Sequence, residues 1–147
     1  PALNQRFVAL RGRGATRNDE PLTPESRSSV NSGCVSLCSR SIRVLQSKPD
    51  QPFPGKIRLF GVASLNLVSV ALGQTVAALE ATPKIWDLAA AWLVLDELGC
   101  PIRWLDADPA QLQPGQDVSQ EGFPMLAAAS WARLAKLLPW GEALVQA

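Results

Sequence analysis

From Lys56 onward the apolar residues fall into blocks of alternating length, and this alternation leaves few folds open to the chain. Ile57 to Phe60 is a short apolar run, Val62 to Leu72 a longer one stopped by Gly73, and Thr75 to Leu79 is short again. Thr82-Pro83 then opens a long stretch that ends at Gly99, with threonine as the expected N-cap and proline in the first turn. Ile102 to Leu105 and Pro124 to Ala129 are further short runs, and Ser130 is placed to cap a terminal helix that Pro139 is expected to interrupt. Short runs suit strands and long ones helices, so the order reads strand, helix, strand, helix, strand. The fold class that follows is α/β, a layered sheet with covering helices.

Before Lys56 the pattern is different. Asn4 to Leu10 alternates weakly, Arg11-Gly12-Arg13-Gly14 brings glycines able to take positive φ, and Asn18-Asp19 is a turn pair, which together predict a β-hairpin. Pro21 to Asn31 is a proline and serine connector, Cys34 to Leu37 a short strand, and Ser39 to Gln46 an amphipathic helix with Ile42 and Leu45 on one face. Lys48 to Gly55, rich in proline, is loop. The chain opens at Pro1 and reads as a strand almost at once, so it is expected to be a fragment.

Composition narrows the function. With 147 residues, 47% of them hydrophobic, the chain can bury the core of one ordinary domain. A net charge of +1 selects neither nucleic acid nor a membrane surface. That balance hides a split: ten basic and four acidic residues lie up to Arg58, four basic and nine acidic beyond it. Histidine and tyrosine are both absent, which removes imidazole bases, histidine metal ligands and phenolic acids. The three cysteines, Cys34, Cys38 and Cys100, lack metal-pair spacing, and nothing like a signal peptide opens the chain, so reduced thiols and a cytoplasmic location are expected. Leu59 to Leu79 carries no charge and has about the length, ~20 residues, of a membrane span. Its Gly61, Ser64, Asn66, Ser69, Gly73, Gln74 and Thr75 instead favour a buried helix turning into a buried strand.

Three places could carry chemistry. Asp87 is the one charge between Lys84 and Asp96, on a face otherwise formed by Ala91, Val94 and Leu98; an aspartate favoured by the helix dipole, without function, is the alternative. Glu80 stands where a strand runs out, the region in which α/β folds collect ligands, or else it is a solvated loop residue. In Arg58-Leu59-Phe60-Gly61-Val62-Ala63-Ser64 a strand delivers a glycine to a helix start, whose unpaired amides can meet an anion or a hydroxyl, or the glycine serves only the turn. Cys34 and Cys38, with three residues between them in the motif Cys-Val-Ser-Leu-Cys, read as buried strand residues, Arg11, Arg13 and Arg17 as a solvated hairpin, and the five tryptophans as packing groups.

The stretch Ile85-Trp86-Asp87-Leu88-Ala89-Ala90-Ala91-Trp92-Leu93-Val94-Leu95-Asp96-Glu97-Leu98-Gly99 resembles the carboxy-terminal signature of the inositol monophosphatase family: Trp-Asp, small residues, an apolar run and glycine. Arg58, Gly61, Ala63, Asn66, Ala71, Gly73 and Glu80 are similar to that family's preceding strand-helix-strand, and Arg11-Gly12-Arg13-Gly14-Ala15 with Asn18-Asp19 to its earlier hairpin. Cys100, Val62 and Val76 depart from residues common in the family. The family's amino-terminal metal motifs, a glutamate site and Asp-Pro-x-Asp-Gly-Thr, are absent from the sequence, which lacks even an Asp-Gly pair.

The resemblance implies that residues 1–28 are a hairpin and connector belonging to an amino-terminal lobe, and residues 29–147 a carboxy-terminal α/β lobe. It implies Mg2+ as cofactor, Asp87 as ligand of the second magnesium ion and holder of the attacking water, Glu80 as acceptor from a sugar hydroxyl, and Ala63, with Gly61, as backbone meeting the substrate. The substrate would be a phosphorylated sugar or inositol, the first partner the missing amino-terminal lobe, and the isolated chain nearly inert. A homodimer is a further expected partner; nucleic acid and membrane are not. A binding or interaction module that keeps the fold without the metal lobe is the alternative.

Overall fold

The computed structural model describes residues 3–24 and 33–146. The first strands are β1 (Phe7–Leu10), β2 (Gly14–Arg17) and β3 (Glu20–Leu22), joined as an antiparallel meander. The expected hairpin is thus one strand richer. Asn18 and Asp19 take φ of 52° and 68°, as a turn matched to strand twist requires, and the strand that follows absorbs Pro21 on an outer edge of the sheet. The proposed lobe boundary at 28/29 lies outside the described residues.

The remaining strands are β4 (Cys34–Leu37), β5 (Lys56–Arg58), β6 (Ala77–Glu80), β7 (Ile102–Trp104) and β8 (Met125–Ala128), in the order β5-β4-β6-β8-β7. β4 pairs in parallel with both β5 and β6, whereas β8 runs antiparallel to β6 and β7. The helices are α1 (Arg43–Ser47), α2 (Ala63–Ala71), α3 (Ile85–Glu97) and α4 (Trp131–Gln146).

Strand alternation divides the apolar residues between two cores. Ala78 of β6 and Met125 and Ala127 of β8 pack with Leu67 and Val70 of α2 and Leu88, Ala91 and Leu95 of α3. Ala77, Leu79, Leu126 and Ala128 point the other way, onto Val44 of α1 and Leu134, Leu137 and Trp140 of α4. Ala15 of β2 joins the first core, so the meander lies over α3. The layers run meander, helices, sheet, helices, which is the α/β architecture the block pattern predicts.

Several local expectations change. Thr82 does not cap α3: the helix begins after Lys84, because the Asp87 side chain accepts the Lys84 amide at 2.9 Å while the Thr82 hydroxyl accepts from Arg40 Nη1 at 2.7 Å. α1 is shorter than expected, since Ser41 spends its hydroxyl on the carbonyl of Leu79, at 2.8 Å, instead of starting a helix. Ser130 does accept the Arg133 amide, at 3.3 Å, but Pro139 does not interrupt α4. Leu134 and Leu137 before it and Trp140 and Leu144 after it are buried on one face, and Trp140 meets Phe53 edge-on at 5.1 Å, so packing holds the helix across the missing hydrogen bond. Trp92 and Trp104 also pack edge to face, at 5.3 Å, whereas Trp86 and Trp131 are 64% and 72% exposed and serve no core. Cys34 is buried as expected; Cys38 lies just beyond β4 and is half-buried. Among the described residues no helix is long and apolar enough to cross a membrane.

Candidate functional site

Because β4, β5 and β6 are parallel, their carboxyl ends share one edge of the sheet, and the loops leaving that edge enclose a cavity of about 390 Å³. Its walls come from the loop after β4 (Cys38 to Arg40), the start of α2 (Gly61 to Ala63), and the segment from Glu80 at the end of β6 to Asp87 in the first turn of α3. All four residues singled out in the sequence, Gly61, Ala63, Glu80 and Asp87, line this one space.

Glu80 is 2% exposed and not a solvated loop residue. Period-two alternation turns it to the same face as Ala78, toward α2, where Asn66 Nδ2 donates to its Oε1 at 2.5 Å. Burial pushes its carboxyl from the ordinary 4.5 up to about 7; hydrogen bonds from Asn66 and Cys38 pull it down and the charge of Asp87 pushes it up further. Asn66 is itself fully buried, and its Oδ1 has no partner among the described residues.

Asp87 is half-buried. One carboxylate oxygen takes the Lys84 amide, which the helix dipole also favours, and the other meets no donor among the described residues. Gly61 has φ of 78° and nothing within 4 Å of the place a Cβ would occupy, so its role is the turn from β5 into α2, not close approach. No side chain caps α2, whose N-cap is Val62, leaving first-turn amides unpaired within the helix beside the cavity.

Three residues at the site were not singled out as functional in the sequence. Asn66 was visible as a polar residue in an apolar block. Cys38 and Arg40 gave no signal, because only the pairing of β4 with β6 carries their loop to Glu80. That loop is fastened there by Cys38 N to Leu79 O at 3.4 Å and by the Ala81 amide on Cys38 Sγ at 3.4 Å.

A divalent cation such as Mg2+ takes about six oxygen ligands. The cavity offers it one free carboxylate oxygen, from Asp87, since Glu80 is buried and substantially protonated near neutrality. No group of three or more His, Cys, Asp or Glu side chains able to hold a metal ion gathers among the described residues. The residues described therefore do not by themselves make a magnesium site.

The α/β fold of this lobe is shared with solved inositol monophosphatases. The chain matches inositol monophosphatase II from Staphylococcus aureus MSSA476 with a TM-score of 0.72 at 20% identity, over 99% of this chain and 56% of that one. It matches an IMPase/NADP phosphatase complexed with NADP and Ca2+ with a TM-score of 0.67 at 23% identity, over 93% and 51%. The chain belongs to the inositol monophosphatase family, whose profile matches residues 1–138. Among curated relatives it is 33% identical over 117 residues to the Nus factor SuhB of Xylella fastidiosa, covering 73% of this chain and 42% of that protein. It is 27% identical over 128 residues to a putative Nus factor SuhB of Neisseria meningitidis serogroup B, covering 81% and 48%. The chain thus spans about half the length of the proteins it matches.

Proposed function

We propose that the chain is the carboxy-terminal lobe of a magnesium-dependent phosphomonoesterase that converts a sugar or inositol phosphate to alcohol and phosphate. The observation that carries this reading is the convergence of Asp87, Glu80 and the start of α2 on one cavity. Asp87 would offer its free oxygen to a cation completed by carboxylates of an amino-terminal lobe; the metal, when bound, would supply an activated water and charge neutralisation at phosphorus. The chain's own residues do the rest. Glu80, fixed by Asn66, meets an alcohol hydroxyl, and the Ala63 amide, held in place by the turn at Gly61, donates to the substrate.

The lobe alone is expected to hydrolyse no phosphomonoester above background with magnesium present. Supplied with the amino-terminal half, it should gain turnover that Asp87→Asn removes. Robust Asp87-dependent hydrolysis by the chain alone, or none by the complemented protein, would overturn the proposal. A second reading, an interaction module without catalysis, is supported by the curated relatives, which are named as Nus factors. Complementation that yields a folded but inert protein would favour it.

A further inference from the structure

The core between the sheet and α2 holds a hydroxyl that the proposed chemistry leaves unused. Ser36 stands inside β4, fully buried, turned away from the core that Val35 and Leu37 join and toward α2. An alanine there would fill nearly the same space with no polar group to satisfy. The hydroxyl donates to two main-chain carbonyls, that of Asn66 in α2 at 3.2 Å and that of Ala77 in β6 at 3.3 Å. They share its one hydrogen, and each carbonyl keeps a second lone pair for its own helix or ladder bond.

These two contacts join the elements that carry Asn66 and Glu80. The first falls on the main chain of Asn66 itself, and the second on the first residue of the strand that ends at Glu80. Leu67 and Val70 also pack α2 onto the sheet, but apolar contact has no direction and lets a helix slide. A hydrogen bond to a carbonyl keeps its length and angle within narrow limits. The Asn66 side chain is short, so its reach to Glu80 Oε1 at 2.5 Å depends on where the main chain of α2 stands. We infer that Ser36 is a positioning residue, which holds α2 at the distance from β6 at which Asn66 fixes Glu80 for the alcohol half of the substrate. Ser69 supplies the comparison: it is a buried serine of α2 whose hydroxyl donates within the helix, to the Leu65 carbonyl at 2.7 Å.

This inference rests on the proposed substrate role of Glu80, so the Asn66–Glu80 contact and turnover are read separately. In the labelled chain, the side-chain amide protons of Asn66 should resonate downfield of a solvated amide, as donation to a carboxyl requires. Ser36→Ala should move them toward the solvated position, and Ser69→Ala should leave them in place. Ser36→Cys, of similar shape and with a weaker donor, should move them part of the way, and it serves alone if Ser36→Ala does not fold. In the chain complemented by its amino-terminal half, Ser36→Ala should raise KM as Glu80→Gln does, about three- to tenfold, with kcat within about twofold of the parent. Asn66 signals unmoved by the Ser36 variants, or moved as far by Ser69→Ala, would overturn the inference alone. So would a KM that ignores Ser36→Ala while rising in Glu80→Gln. A KM indifferent to Glu80→Gln, or no turnover by the complemented protein, would overturn the substrate role of Glu80, and the inference with it.

Discussion

Asn66 reaches from α2 to the last residue of β6 and donates to Glu80 at 2.5 Å, both side chains being buried and Glu80 lining the cavity. Burial keeps the proton on Glu80 into the neutral range despite the hydrogen bonds from Asn66 and Cys38, and its pKa of about 7 has a thermodynamic consequence. Between pH 4.5 and 7 the folded chain binds more protons at this site than the unfolded one, so stability falls as pH rises through that window. The difference amounts to about 3 kcal/mol once Glu80 is fully ionised. Glu80→Gln should flatten the dependence and raise the melting temperature at pH 8 relative to the parent, with little change at pH 5. Thermal melts at the two pH values are the check, and parallel curves would show that Glu80 titrates normally.

Asn66→Ala should act in the opposite sense. Removing the donor takes away a bond that favours the ionised carboxyl, so the Glu80 pKa should climb further and the cost of the substitution should grow with pH. We expect a loss of about 1–3 kcal/mol at pH 8 and a smaller one at pH 5, read by denaturant unfolding. A cost independent of pH would mean that Asn66 supports packing and not the acid.

How much of this site could be read from the chain depends on the residue. Asp87 and Glu80 stood out, one as a lone charge on an apolar face and the other at a strand end, and the family resemblance attached roles to both. Arg40 and Cys38 did not, because they reach the cavity through the parallel pairing of β4 with β6, a contact across forty residues that no local pattern encodes. Local competition explains the rest. Asp87 won the helix start from Thr82 by accepting the Lys84 amide, and tertiary packing on both sides of Pro139 overrode a strong helix breaker. The alternation of block lengths survived because it reflects burial of whole faces.

Asp87 has two separable duties. Its structural one, accepting the Lys84 amide, can be performed by an amide oxygen, so Asp87→Asn should leave the unfolding free energy within about 0.5 kcal/mol of the parent. Its proposed chemical one cannot, and in a chain complemented by the amino-terminal lobe the same substitution should lower kcat by about two orders of magnitude or more while changing KM little. Stability and steady-state kinetics on one variant decide the matter; a large loss of stability would show that the residue is mainly a helix cap.

Glu97, at the last turn of α3, accepts the amides of Gly12 and Gly14, each at 2.7 Å, and those two bonds hold its carboxyl below the usual range. It clasps the β1–β2 turn to the helix. A glutamine side chain could not serve both amides, because one of its two terminal atoms is a donor, so Glu97→Gln should free one of them and Glu97→Ala both. Hydrogen exchange should accelerate at Gly12 and Gly14 while amides in the middle of α3 stay protected. Unchanged exchange at the turn would place the meander's anchor elsewhere, in the packing of Ala15.

The meander also explains an expected tendency to associate. In β1, Phe7 and Ala9 face the groove against α2 and α3, while Val8 and Leu10 point outward, 40% and 57% exposed. β1 is an edge of its sheet, so its outward row of amides and carbonyls lacks a partner strand among the described residues, next to apolar side chains. An edge of this kind pairs readily with another chain, and the isolated protein should form dimers or larger species as its concentration rises. Val8→Lys leaves the inward face untouched and places a charge beside the open edge, the arrangement that natural sheets use against such pairing. Light scattering should then report a smaller mean mass for Val8→Lys than for the parent, and the amino-terminal lobe added in trans should lower the parent's mass per particle toward a one-to-one complex. A parent chain that stays monomeric across the concentration range and ignores the added lobe would show that the edge of β1 is closed to any partner strand.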